Sequence, residues 1–276
     1  MKSSVFFALL LFCFSAVLAL GQAAQTSNSN IVKKELSQAE IDRIIKKFTS
    51  NEKNFRGALT DYVFNRDALV QTIGMGGQVT GEYHRTSFMT FNQDGSRFEK
   101  ILFFPQPTLT EISVTPEDLE DLGGVNPFAL EPASIPEYNF TYVGTEKIDE
   151  LNLYVFDVKP KAIPDPKKSK LRLFVGRIWV DMDDLLIVKS KGKAVPETKN
   201  NKFPVVETYR ENIDGKYWFP TYAYVNDDLV FDNGNVVHIK ERVKYTDYKV
   251  GHSEVRILDD PGDVKPTPSP TPKKPE

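Results

Sequence analysis

Three histidines, His84, His238 and His252, are the whole imidazole supply of this 276-residue chain. No two have the close spacing of a local metal-ligand pair. His238 alternates with Lys240 and Arg242, the pattern of a strand's solvent face. A serine–histidine–carboxylate triad can be assembled from distant residues, but the chain shows no nucleophile-elbow pattern. Asp181-x-Asp183-Asp184 groups carboxylates in a way that suits a hard cation. A calcium loop of the EF-hand kind would need glycine at its sixth position, where Leu186 stands, so the run reads as a turn. The other acids cluster in turns and in the tail, not as the facing pair that sugar hydrolysis requires. Gly74-Met75-Gly76-Gly77 lacks the Lys-Ser/Thr ending of a phosphate-binding loop and reads as a bend. Asn139-Phe140-Thr141 has the glycosylation pattern inside strand-like sequence. The sole cysteine, Cys13, lies in an apolar leader, so a processed chain would have no thiol for catalysis, disulfides or metal. The formal charge is −3, and no basic run of the kind that neutralises phosphates is present. The expectation is a protein that is no enzyme, needs no cofactor or metal and binds no nucleic acid. An envelope hydrolase built from dispersed residues is the enzymatic alternative.

What remains is diffuse. Aromatic residues recur along strand-like segments, among them Phe98, Trp179, Tyr217, Trp218, Phe219, Tyr222 and Tyr224, with Met75 and Met89 nearby. Strand propensity and core packing explain many of them. A curved sheet that cannot close tightly on one helix would also leave an apolar cavity lined by aromatic and methionine side chains. The cavity candidates are Phe88, Met89, Phe91, Phe103 and Phe104, chosen for their closeness to a long irregular insert.

The positioning elements follow from periodicity and turn chemistry. Residues 1–23 have the short positive start, apolar run and small-residue site of a secretory signal. Residues 24–35 are polar and expected to be disordered. Ser37 and Glu40 have capping-box spacing, and Ile41, Ile44, Ile45 and Phe48 follow as one apolar helical stripe. The helix is expected to fray through residues 50–54. Strands are expected over 61–73, 78–91 and 96–104, with a turn at Asn92-Gln93-Asp94-Gly95. Prolines interrupt 105–137, predicted to be a helical insert or lid with a short helix after Thr115. Strands return at 139–148 and 151–159. The clearest hairpin spans 171–193 around Asp181–Asp184, and a second places Asp214-Gly215 between 207–213 and 217–224. Residues 227–236 and 237–248 complete the series, and 258–276 form a Pro-rich tail without enough apolar residues to fold. One domain, 36–257, is predicted: mainly β with helices (α+β), an incomplete antiparallel β-barrel or curved sheet wrapped around one or more helices.

Trp179-Val180-Asp181 at the end of one strand, Gly215 to Pro220 in the next hairpin, and Tyr245 to Tyr248 in the last strand together resemble bacterial exported proteins of the outer-membrane lipoprotein-sorting, LolA-like superfamily. The resemblance covers mainly the C-terminal half. It implies an open barrel whose interior receives acyl chains of a lipid or lipoprotein, carried across the periplasm without nucleotide or metal, with a membrane-associated donor or acceptor protein as a further partner. The processed chain would then be periplasmic or secreted. A sensor or protein-interaction module of the same fold is the alternative. The long insert and the Pro-rich tail depart from the simplest carriers.

Overall fold

A computed structural model describes residues 30–92, 95–115, 118 and 130–251. The predicted signal, the tail, and the helix expected after Thr115, apart from Asp118, lie outside the described residues.

Ser37 caps the long α-helix, α1 (Gln38–Leu59), its hydroxyl accepting from the Glu40 amide at 3.2 Å. Glu40 does not return the bond as a capping box would; its carboxylate forks onto Arg43 at 2.7 and 2.9 Å. The helix also runs unbroken past residue 54. Ile44, Phe48, Glu52, Phe55 and Leu59 continue one buried stripe at steps of three and four. Read as sequence, the polar run around Glu52 looks like fraying. In the fold Glu52 is fully buried and meets Arg210, 158 residues further on, at 2.6 and 3.1 Å.

Ten strands form one antiparallel sheet: β1 (Tyr62–Ile73), β2 (Val79–Phe91), β3 (Arg97–Phe103), β4 (Tyr138–Ile148), β5 (Leu151–Pro160), β6 (Leu173–Asp181), β7 (Ile187–Val195), β8 (Val206–Ile213), β9 (Tyr217–Val230) and β10 (Val236–Val250). Their spatial order is β3-β2-β1-β10-β9-β8-β7-β6-β5-β4. Consecutive strands pair except across one gap. β3 and β4 are neighbours in sequence yet stand at opposite edges, while β1 and β10 pair from Tyr62↔Val250 to Ile73↔His238. The expected open sheet around a helix is thus the observed one. Its last two strands divide differently from expectation: β9 continues to Val230, and the turn falls at residues 231–235, where Gly234 has φ +87°.

The hairpin turns obey local chemistry. Asp214 and Gly215 both adopt the left-handed region, at φ +56° and +66°, as a two-residue hairpin turn requires. At the 181–186 turn the Asp181 carboxylate accepts from the amides of Asp183 and Asp184 at 3.0 and 2.9 Å, and Leu185 takes φ +52° instead of starting the return strand. Pro220, which has no amide to donate, sits where the β8–β9 register slips between Tyr209 and Arg210.

Two apolar clusters fill the concave side. Phe55, Ala58 and Leu59 pack with β1, β9 and β10, whereas Ile44 and Phe48 pack with Tyr138, Phe156, Phe174, Ile178 and Ile187. One helix therefore joins both halves of the sheet, and burying each large aliphatic or aromatic side chain contributes roughly 1.5–3 kcal/mol. A third, smaller cluster of Leu153, Val155, Trp179 and Val188 is packed by Ile31. Ile31 and Val32, expected to belong to a disordered lead-in, lie along β4 instead, with Val32 and Thr145 exchanging backbone bonds of 2.8 and 2.9 Å. Gly144 permits this approach: a Cβ there would stand 2.6 Å from the Val32 carbonyl oxygen.

Candidate functional site

The end of the sheet where β1 finishes also carries residues 161–172, 196–205 and 231–235, and there the trough is not filled by α1. A cavity of about 700 Å³ occupies it. Val70 of β1, Ala194 of β7, Val206 of β8, Leu229 of β9 and Ile239 of β10 contribute to its lining, as do Phe203 and Phe231 from the loops. Inward alternation puts these aliphatic side chains in the trough, and on β10 Val237, Ile239 and Val243 share the buried face.

The opposite wall comes from the insert. After β3 the chain stays beside β2, where the Thr108 amide donates to the Glu82 carbonyl and the Glu82 amide donates to the Thr108 hydroxyl, both at 2.9 Å. It then crosses Gly81 so closely that a Cβ there would lie 2.9 Å from both Leu109 Cα and the Thr108 carbonyl oxygen. Leu109, Ile112 and Val114 pack against the core and face the cavity. Thr115 and Asp118 cap each other, the Asp118 carboxylate accepting from the Thr115 amide and hydroxyl at 2.8 Å. Polar residues share the lining: Thr110, Glu111, Ser113, Thr115 and Asp118 come with the insert, Asn200, Asn201 and Lys202 with the β7–β8 loop, and Glu241 with β10, and Lys202 is tied to Asp232 at 2.7 Å. The volume falls within the range of small-molecule sites, about 300–1,000 Å³.

The five candidates read from sequence lie along β2, β3 and the start of the insert, and none lines this cavity. Met89 packs against the larger core cluster, and Phe91 carries the Arg97 guanidinium 4.6 Å above its ring. Phe88 pairs with Lys100 across β3. Phe103 is half exposed beside His84, and Phe104 rests on Tyr83 under Arg85. The lining aliphatics carried no signal of their own, because Val70, Leu229 and Ile239 look like any core strand residues until the insert is placed over them.

Beside the cavity the trough becomes polar. Glu99 accepts from Arg66 at 2.7 Å, from Arg85 at 2.7 and 3.1 Å and from Ser87 at 2.5 Å. Burial pushes this carboxyl up, but the Ser87 hydroxyl and the two guanidiniums outweigh it and hold the group below the ordinary range. On the outer face Asp67 accepts from Thr86 at 2.9 Å and lies 2.7 Å from His84 Nε2. The carboxylate stands between hydroxyl and imidazole, so Thr86 donates to Asp67 and not to the base that an activated nucleophile requires. His238 bonds Asp228 and Asn226 on the solvent face. Among the described residues, no three His, Asp or Glu side chains converge as metal ligands.

The residues that carried the sequence resemblance perform structural work. Trp179 donates to Glu146 at 2.6 Å, Asp181 holds its turn, and the Tyr248 hydroxyl donates to the Pro220 carbonyl at 2.7 Å, joining the last strand to the preceding hairpin.

No protein-family model matches the chain, and no curated protein matches it in sequence. Solved structures do. It is similar to a DUF1329 family protein from Desulfovibrio piger at 16% identity and TM-score 0.36, covering 72% of this chain and 90% of that one. It is similar to a LolA superfamily protein from Nitrosomonas europaea at 13% identity and TM-score 0.33, covering 79% and 95%. A third likeness is to a putative outer membrane lipoprotein-sorting protein domain from Vibrio parahaemolyticus, at 12% identity and TM-score 0.32, covering 72% and 90%.

Proposed function

We propose that this chain is an exported, non-enzymatic carrier that holds acyl chains of a lipid or lipoprotein in the trough, with residues 1–23 serving as its secretory signal. The observation that carries the reading is the cavity of about 700 Å³, with aliphatic strand residues on one side and Leu109, Ile112 and Val114 on the other. Each buried methylene contributes about 0.8 kcal/mol, so an acyl chain needs no charged anchor to bind. Native mass spectrometry of protein purified without detergent from its own periplasm should show bound lipid, and a fluorescent fatty-acyl probe should bind the emptied protein. Leu229→Arg, which puts a long cation into the floor, should weaken the probe at least about tenfold while circular dichroism stays that of a sheet. Protein that is empty in every preparation and takes up no probe would overturn the reading.

A second reading has its own observation. Among the described residues β3 is an edge strand with one open side, and its Phe98, Ile101, Leu102 and Phe103 are all exposed. Such an edge suits an extended apolar peptide added as another strand. Hydrogen exchange separates the two: protection of β3 amides by a peptide, with no response to lipid, favours the interaction module.

A further inference from the structure

The β5–β6 connection, residues 161–172, has a composition unlike the other loops. From Lys159 to Arg172 there are six cationic residues, Lys159, Lys161, Lys167, Lys168, Lys170 and Arg172, and one carboxylate, Asp165. All five lysines are exposed, and only Lys168 approaches Asp165, at 3.7 Å. Two large apolar residues stand among them in solvent, Ile163 at 64% and Leu171 at 49% exposure. Exposed apolar residues interleaved with lysines suit the interface of an anionic bilayer. Lys159 and Lys161 also border a groove whose lining includes Ile45, Ile135 and Phe140, with Asp42 and Lys46 among its polar residues. The loop is linked to the cavity wall, because the Arg172 guanidinium lies 4.9 Å over Phe203, which lines the cavity.

We propose that residues 159–172 form a docking surface for a bilayer containing anionic phospholipid, with the lysines meeting headgroups and Ile163 and Leu171 entering the interface. This does not depend on what the cavity holds, and an empty carrier would dock equally. It places the cavity mouth, through Phe203, next to the membrane.

The compact unit begins at Ile31, so the chain lacking its first 23 residues retains it and removes an apolar segment that would bind lipid by itself. That protein should sediment with vesicles of phosphatidylcholine and phosphatidylglycerol, not with phosphatidylcholine alone, and should be released by salt. The triple variant Lys167→Gln/Lys168→Gln/Lys170→Gln should bind on the order of a hundredfold more weakly, each lysine near an anionic surface being worth roughly fivefold. These side chains are exposed, so folding should survive, and an unchanged circular dichroism spectrum and urea unfolding midpoint would verify it. Ile163→Cys would be the only thiol of that chain. A polarity-sensitive dye on it should brighten with anionic vesicles and stay dark with neutral ones. Equal binding to both vesicle types, wild-type binding by the triple variant, or a dye that never brightens would each overturn the proposal.

Discussion

At the scale of single residues the most consequential pair is Glu52 and Arg210, with side chains 0% and 8% exposed. The guanidinium also lies 4.4 Å over the Phe55 ring, so one cation closes both an ion pair and an aromatic contact. Such a pair adds little net stability against an apolar replacement, but breaking it strands a charge out of water. Glu52→Ala should therefore cost about 3–5 kcal/mol in urea unfolding, and Glu52→Leu with Arg210→Met should recover most of that loss. Glu207 behaves differently because it titrates. Burial raises its pKa, but Lys189 at 2.7 Å, Lys191 at 3.1 Å and the Tyr209 hydroxyl outweigh burial and hold it at about 2, against an ordinary 4.5. A carboxylate lowered by folding stabilises the protein above its unfolded pKa and loses that contribution as pH falls towards the folded value. Acid titration of wild type should thus show up to roughly 3 kcal/mol lost between about pH 4.5 and about pH 2 that Glu207→Gln does not show. The same partner relation pushes the Tyr209 hydroxyl well above its usual range, burial being the first cause and the neighbouring Glu207 charge the second.

At the scale of elements, hairpins and helix answer to different rules. Asp214-Gly215 is readable in the sequence because a left-handed dipeptide between alternating segments has few other uses. The length of α1 is not, since its stripe passes through a carboxylate whose partner is on β8. The insert is the element on which the site depends most, and Gly81 is where it can be tested. Gly81→Ala would drive a methyl to 2.9 Å from the crossing backbone, which a flexible side-chain tip could yield to but a main chain cannot do cheaply. The expected result is about 1–3 kcal/mol of destabilisation, faster protease cutting within residues 104–115 and weaker acyl-probe binding, with β1–β10 amide protection unchanged. Equal loss of protection throughout the sheet would show that the crossing is part of the core and not a wall laid over it.

At the scale of the whole molecule, the sheet is a nearly complete meander whose first and last strands pair, leaving the break between β3 and β4. That break lets an insert, instead of a closed barrel wall, border the cavity. The sequence by itself determined the open antiparallel sheet, its helix stripe from Ile41 to Phe48, most strand limits and the Asp-rich turn, because alternation, capping and left-handed turns act over a few residues. Only the tertiary structure decided that α1 reaches Leu59, that Ile31 covers Trp179's cluster, and that Val70, Leu229 and Ile239 line a cavity while the aromatic residues of β2 and β3 lie elsewhere. The reason is distance along the chain: a buried Glu52 needs Arg210, and a cavity floor exists only once residues 109–114 have been folded over strands that lie far from them in the chain, Leu229 and Ile239 more than a hundred positions on.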